Sequence, residues 1–168
     1  YALPYKVFEV MLVVPTFFMN SVYPVLVNHM IEGEQKLKKT FTRAIYFLIG
    51  SGLVIGLLGI AFSSLAMKIL GGEEFYQSTG VLNILSGGLF IFYLTSPISW
   101  LIVTLGYQKY LPWIYFVSFS FNLIMNFIFI PKYSFYAASW ITVLSELIVL
   151  ILLIIFARKS WRLKYAGN

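Results

Sequence analysis

Residues 44–67, AIYFLIGSGLVIGLLGIAFSSLAM, run without a single charged side chain. A helix crossing a hydrocarbon core of ~30 Å needs about 20 residues, so this stretch alone is long enough to span a membrane. The pattern repeats on both sides of it. Between Glu9 and Glu32 only His29 could carry charge, which predicts a first helix over about 4–29. Pro15 and Pro24 lie inside it, and membrane helices tolerate proline where neighbours satisfy the freed carbonyls, so a kink is expected there. From Phe75 to Gln108 there is again no charge, too long a run for one straight crossing. Residues 76–80 are expected at the interface, with a helix over 81–105 that bends at Pro97. Further spans are predicted at 110–130, ended by Pro131, and at 136–157, interrupted once by Glu146. The expected fold is therefore all-α: a polytopic transmembrane bundle of five spans, with a basic tail at 158–168.

Composition agrees with that reading. Of the 168 residues 60% are hydrophobic, 19% aromatic and only 11% charged. Soluble domains carry roughly 45–50% apolar and about 25% charged residues, so this chain cannot coat a water-facing surface. A soluble enzyme is excluded, and so is a disordered chain, which needs low hydrophobicity. The apolar runs recur along the whole length, unlike the single short run of a signal peptide. There is no cysteine and one histidine, so neither thiol chemistry nor a Cys/His metal site is expected, and no cofactor is implied. The chain opens at Tyr1 and enters an apolar run almost at once, which reads as a piece of a longer protein.

A net charge of +6 would suggest nucleic acid in a soluble protein. Here the basic residues punctuate the apolar runs, where they orient the chain and imply a lipid bilayer as the partner, with no nucleic acid. Lys36, Lys38, Lys39, Arg43, Lys109, Arg158, Lys159, Arg162 and Lys164 fall on one side, and Lys6, Lys68 and Lys132 on the other. The bias puts the 30–43 loop and the C-terminus in the cytoplasm. The first helix then enters from outside, as it would if another helix preceded it.

Polar residues at bilayer depth usually face a bundle interior or a wet cavity. Three helices carry them in helical register. Lys6, Glu9, Thr16, Asn20 and Tyr23 share one face of the first helix, with Val13 completing the spacing. Tyr115, Ser118, Asn122 and Asn126 stripe the fourth, and Ser139, Thr142 and Glu146 the fifth. Interhelical hydrogen bonding explains such stripes as readily as a cavity does, and an interfacial ion pair explains Lys6 with Glu9. Glu146, about ten residues and roughly 15 Å into its helix, is expected near mid-bilayer. It either meets a cation, meets water or holds its proton, so coupling and structural roles both stay open. Gly52 and Gly56 lie at the GxxxG spacing of close helix packing or of a sliding interface. Gly71-Gly72 and Gly87-Gly88 lack the context of a phosphate loop.

Taken together, the motifs resemble the bacterial polysaccharide flippases of the multidrug/oligosaccharidyl-lipid/polysaccharide exporter superfamily. Tyr1…Tyr5-Lys6…Glu9 with Pro15 and Tyr23-Pro24 resembles that family's eighth helix. Gly71-Gly72-Glu73-Glu74-Phe75-Tyr76-Gln77-Ser78 is similar to its extracytoplasmic turn, and Gly106-Tyr107-Gln108-Lys109 to a cytoplasmic one. The most specific piece is Asn122-x3-Asn126-x3-Ile130-Pro131-Lys132-Tyr133, followed by Ala137-Ala138 and Ser145-Glu146. The resemblance covers essentially the whole chain and corresponds to the last five helices of a twelve-helix, MATE-like flippase. One departure stands out: family members often have glycine just ahead of the Ala-Ala pair, where this chain has Tyr136, and a bulky residue there questions tight packing.

The resemblance implies alternating access between two helical bundles. The cargo would be an undecaprenyl-diphosphate-linked oligosaccharide, flipped across the cytoplasmic (inner) membrane for polysaccharide or O-antigen export. It also implies an N-terminal bundle of the same protein as partner, and extends the partners to the polysaccharide polymerase machinery. Carried over residue by residue, Lys6 becomes a contact for the diphosphate or an acidic sugar, Glu9 and Glu146 coupling or gating carboxylates, and Asn20, Asn122 and Asn126 cavity hydrogen-bonders. Two rivals remain: a cation-coupled multidrug antiporter of the same superfamily, and a non-transporting membrane scaffold. An enzyme is not expected, because no loop is long enough to present a catalytic site.

Overall fold

The computed structural model describes residues 1–72 and 78–165. Those residues are all helix and short connections, with no strand among them. Helices α1 (Ala2–Met11), α2 (Val13–Glu32), α3 (Glu34–Ala61), α4 (Ser63–Gly71), α5 (Thr79–Thr104) and α6 (Leu111–Tyr165) follow one another, with one 3-10 turn at Gln108–Tyr110 before α6. Four runs, Ala2–Glu32, Glu34–Ala61, Thr79–Thr104 and Gln108–Tyr165, are long and apolar enough to cross a membrane.

The last of these is not one rod. Ser134 sits at φ 56° and ψ −148°, outside helical geometry. Ser118 Oγ donates to the Ser145 carbonyl at 2.9 Å across 27 positions of sequence, whereas a straight helix would hold them about 40 Å apart. The chain thus turns back near Ser134, and α6 is two antiparallel arms, 111–133 and 135–165. The helix runs past Pro131, which was expected to end it, and reverses three residues later. Residues 158–165, expected as a tail, continue the second arm as helix.

Two other boundaries also differ from the sequence reading. The basic segment 34–43 is the first part of α3 rather than a loop. Its Glu, Gln, Lys and Leu side chains are good helix formers, and charge alone does not unwind a helix. Only Gly33 separates α2 from α3, at φ 131°, a conformation open to glycine. Lys36 Nζ pairs with Glu32 across that turn at 2.7 Å. The span expected over 44–67 breaks at Phe62 into α3 and α4. Most of the Gly71–Ser78 turn motif, residues 73–77, lies outside the described residues.

Helix α5 is the axis of the fold and touches each of the other five. It can be surrounded because glycines and small residues let backbones approach closely. The stripe Gly52, Gly56, Gly59 of α3 is buried against α5. A Cβ on Gly56 would meet the Ser86 carbonyl oxygen at 2.8 Å, and one on Gly52 would meet the Tyr93 ring at 2.9 Å. Close packing therefore accounts for the GxxxG spacing. On the other side of α5, Gly88 receives Val143 and Gly80 receives Tyr136. At the start of the last arm, Gly80 of α5 makes room for the bulky Tyr136 ring.

These contacts predict opposite outcomes for two chemically identical changes. Gly56→Ala drives a methyl into backbone that cannot swing away and should destabilise the bundle by about 1–3 kcal/mol. Gly50→Ala has nothing within 4 Å of the new carbon and should be neutral or stabilising by up to about 1 kcal/mol. Reversible unfolding in detergent measures both.

Candidate polar cleft between the first helix and the last two arms

The site is assembled from a break in the first helical run. Pro15 has no N–H to give the Met11 carbonyl one turn back. That carbonyl instead accepts from the hydroxyl of Tyr93 at 2.7 Å, and Tyr93 is fully buried. Helix α1 ends at Met11, and α2 restarts after Leu12. So the kink anticipated from Pro15 falls at Leu12, while Pro24 is accommodated inside α2. Helix α1 packs on α5 through Phe8, whose ring meets Phe92 edge-on at 4.9 Å. At its start the Tyr1 hydroxyl reaches Thr142 Oγ1 at 3.2 Å.

A cleft of about 620 Å³ opens there, lined by Tyr1, Tyr5, Asn122, Asn126, Ile130, Ser134, Phe135, Ala138 and Thr142. Tyr1 and Tyr5 stack at 5.7 Å along one wall. The opposite wall is the paired stripes of the two α6 arms. Asn126 Nδ2 donates to Asn122 Oδ1 at 2.8 Å, and Asn122 Nδ2 donates to Ser145 Oγ at 2.9 Å. Ser145 Oγ in turn donates to the Ile141 carbonyl at 2.6 Å. The Asn126 carbonyl oxygen is buried and has no partner among the described residues. Part of each stripe therefore fastens the two arms together, and the ladder ends on a buried oxygen without a partner among the described residues.

The six residues singled out in the sequence divide into four groups. Asn122 and Asn126 line the cleft together. Lys6 and Glu9 form an ion pair at 2.6 Å, with side chains 75% and 42% exposed, and do not line it. Asn20 is exposed on α2, as is Thr16, while Tyr23 packs on Trp100 at 4.7 Å. The first-helix stripe is thus not a continuous inward face. Glu146 is half-buried and accepts from the Thr95 hydroxyl of α5. No cation pairs with it among the described residues, and Tyr5 lies within electrostatic reach. Thr95 also has the Phe92 carbonyl at 3.0 Å, two acceptors for one hydroxyl hydrogen.

Three contributors escaped the sequence reading. Tyr1 and Tyr5 stood out only through the family motif, since aromatic residues in an apolar helix carry no sign of what they face. Thr95 sits in the charge-free run of α5, where nothing in the local pattern marks it as the partner of a carboxylate on another helix. Among the described residues no group of three or more His, Cys, Asp or Glu could hold a metal.

Comparison with protein-family models, curated proteins and solved structures returns no match.

The Thr95–Glu146 contact gives a test. Glu146→Gln retains an acceptor and gains a donor, so unfolding free energy in detergent should stay within about 0.5 kcal/mol of the wild type. Thr95→Val leaves the carboxyl without its partner and should cost about 1–3 kcal/mol. A loss on Glu146→Gln as large as on Thr95→Val would show that the charge itself holds the fold.

Proposed function

We propose that this chain is the C-terminal part of a membrane flippase and that the cleft between α1 and the α6 arms binds the polar head of an amphiphilic cargo. Its mechanism is alternating access, with the cleft as one wall of a cavity that an N-terminal bundle completes. The cargo is a lipid-linked oligosaccharide, the undecaprenyl-diphosphate-linked class that the family resemblance implies. The observation that carries this reading is the chemistry of the lining. Stacked Tyr1 and Tyr5, the Asn122–Asn126 ladder and Thr142 supply flat aromatic faces, amides and a hydroxyl, with no charged side chain. Sugar rings offer apolar C–H faces to stack and hydroxyls to bond. Ligand sites combine such apolar surface with a few convergent polar groups.

In this proposal the protein crosses the cytoplasmic membrane five times within this chain, counting the two α6 arms separately. Its orientation rests on charge. Trp161 Nε1 donates to Glu34 Oε1 at 2.7 Å, and Lys159 lies over the Tyr110 ring at 5.4 Å. The start of α3, the turn before α6 and the C-terminal helix end therefore meet at one end of the bundle, with most of the basic residues. Positive-inside bias assigns that end to the cytoplasm.

Glu146 favours a second reading, a cation-coupled antiporter of small molecules. A half-buried carboxyl with hydroxyl partners and no cation among the described residues is suited to carry a proton through a transport cycle. The two readings differ in what the asparagine ladder does. In the full transporter Asn126→Ala, which removes an amide from the cleft lining, should lower lipid-linked oligosaccharide export at least tenfold at normal expression. Glu146→Gln should then leave flipping measurable. Unchanged export with Asn126→Ala would contradict the cargo-binding role, and efflux of small cations lost with Glu146→Gln alone would favour the antiporter.

A further inference from the structure

At the far end of the second α6 arm lies a hollow of about 510 Å³ lined by Ile155, Arg158, Lys159, Arg162 and Leu163. These positions are spaced 3, 1, 3 and 1 and share one helix face. Among the described residues their cations have no carboxylate partner, the ion pairs there being Lys6 with Glu9 and Lys36 with Glu32. The nearby Glu34 carboxyl accepts instead from the Trp161 indole. Lys159 is held over the rings of Tyr110 and Phe156 at 5.4 and 6.0 Å, which fixes its stem without neutralising it. Along the same face, one turn apart, Leu147, Ile151 and Ile155 are exposed at 38%, 50% and 54%.

We propose that this helix end binds the phosphate headgroup of an anionic phospholipid, with the lipid's acyl chains lying along Leu147, Ile151 and Ile155. The dimensions agree. Leu147 to Arg158 spans about 16 Å of helix, close to half of a hydrocarbon core of ~30 Å. An apolar ladder one leaflet deep thus ends in three unpaired cations at headgroup level. The cytoplasmic leaflet carries the anionic lipids that basic clusters attract. The site uses none of the cleft residues and requires only that the second arm stand in a bilayer with this end at the cytoplasmic face proposed above.

Native mass spectrometry of the whole chain, released from detergent with phosphatidylglycerol, phosphatidylcholine or inorganic phosphate, tests it. Phosphatidylglycerol should be retained at least tenfold better than phosphatidylcholine, and inorganic phosphate alone should not be retained. The double variant Arg158→Gln, Arg162→Gln should weaken retention about twenty-five-fold, a factor of about five for each charge removed near an anionic surface. The double variant Arg158→Lys, Arg162→Lys should bind as the wild type does, and Lys159→Gln, which leaves both arginines, should lose about fivefold. Lys36→Gln with Lys38→Gln, at the same end of the bundle but outside the hollow, should change retention less than twofold. Equal retention of the two lipids, capture of inorganic phosphate, wild-type binding by the double glutamine variant, or an equal loss with the Lys36 and Lys38 changes would each overturn the assignment.

Discussion

One hydrogen bond, from the Tyr93 hydroxyl to the Met11 carbonyl, conditions much of the rest of the structure. Pro15 leaves that carbonyl without its helical donor, and a buried carbonyl without a partner costs about 1–3 kcal/mol. The repair has to come from another helix, and Tyr93 reaches it only because its ring passes over Gly52, where any larger residue would collide. Three elements are thereby locked together at one depth: the break in the first run, the glycine stripe of α3 and the centre of α5. Helix α1, packed on α5, brings Tyr1 to Thr142 and Tyr5 beside the asparagine ladder.

A second constraint is the reversal at Ser134. It converts one apolar run into two arms whose polar stripes face each other, so that Ser118, Asn122 and Ser145 close one another's hydrogen bonds. In a low-dielectric setting an unclosed polar group is costly, which is why most of the stripe is consumed in holding the arms together. Asn126 is the position where the ladder runs out of internal partners. The same register that fastens the hairpin places Asn122 and Asn126 along the cleft wall.

Much of the helical framework was legible in the sequence, because charge-free length is a strong signal and lipid demands internally bonded backbone. The 3-4 spacing of Asn122, Asn126 and Thr142 also marked residues that do meet in space. What was not legible depends on contacts distant in sequence. The break at Leu12 is placed by a tyrosine 82 residues away. The charge run 34–43 reads as a loop by composition and is helix by propensity. Pro131 reads as a terminator, yet the turn occurs at Ser134. Tyr136 reads as too large until Gly80 is seen opposite it. Lys6 and Asn20 sit in register with polar neighbours, but the break in the run leaves that stripe exposed. Each of these outcomes is set by a partner on another helix, which one-dimensional spacing does not encode.

The central claim is that the cleft beside Asn126 is a wet, cargo-accessible space inside a membrane-embedded bundle. Because the chain has no cysteine, single replacements report cleanly. Cysteine at Asn126 can be compared with cysteine at Phe127, one position on and 84% exposed on the outer face of the arm. In membranes, a small water-soluble thiol reagent should label position 126 and leave position 127, facing lipid, unreacted. An inert position 126, or equal labelling of both, would contradict a water-filled cleft and with it the transport reading.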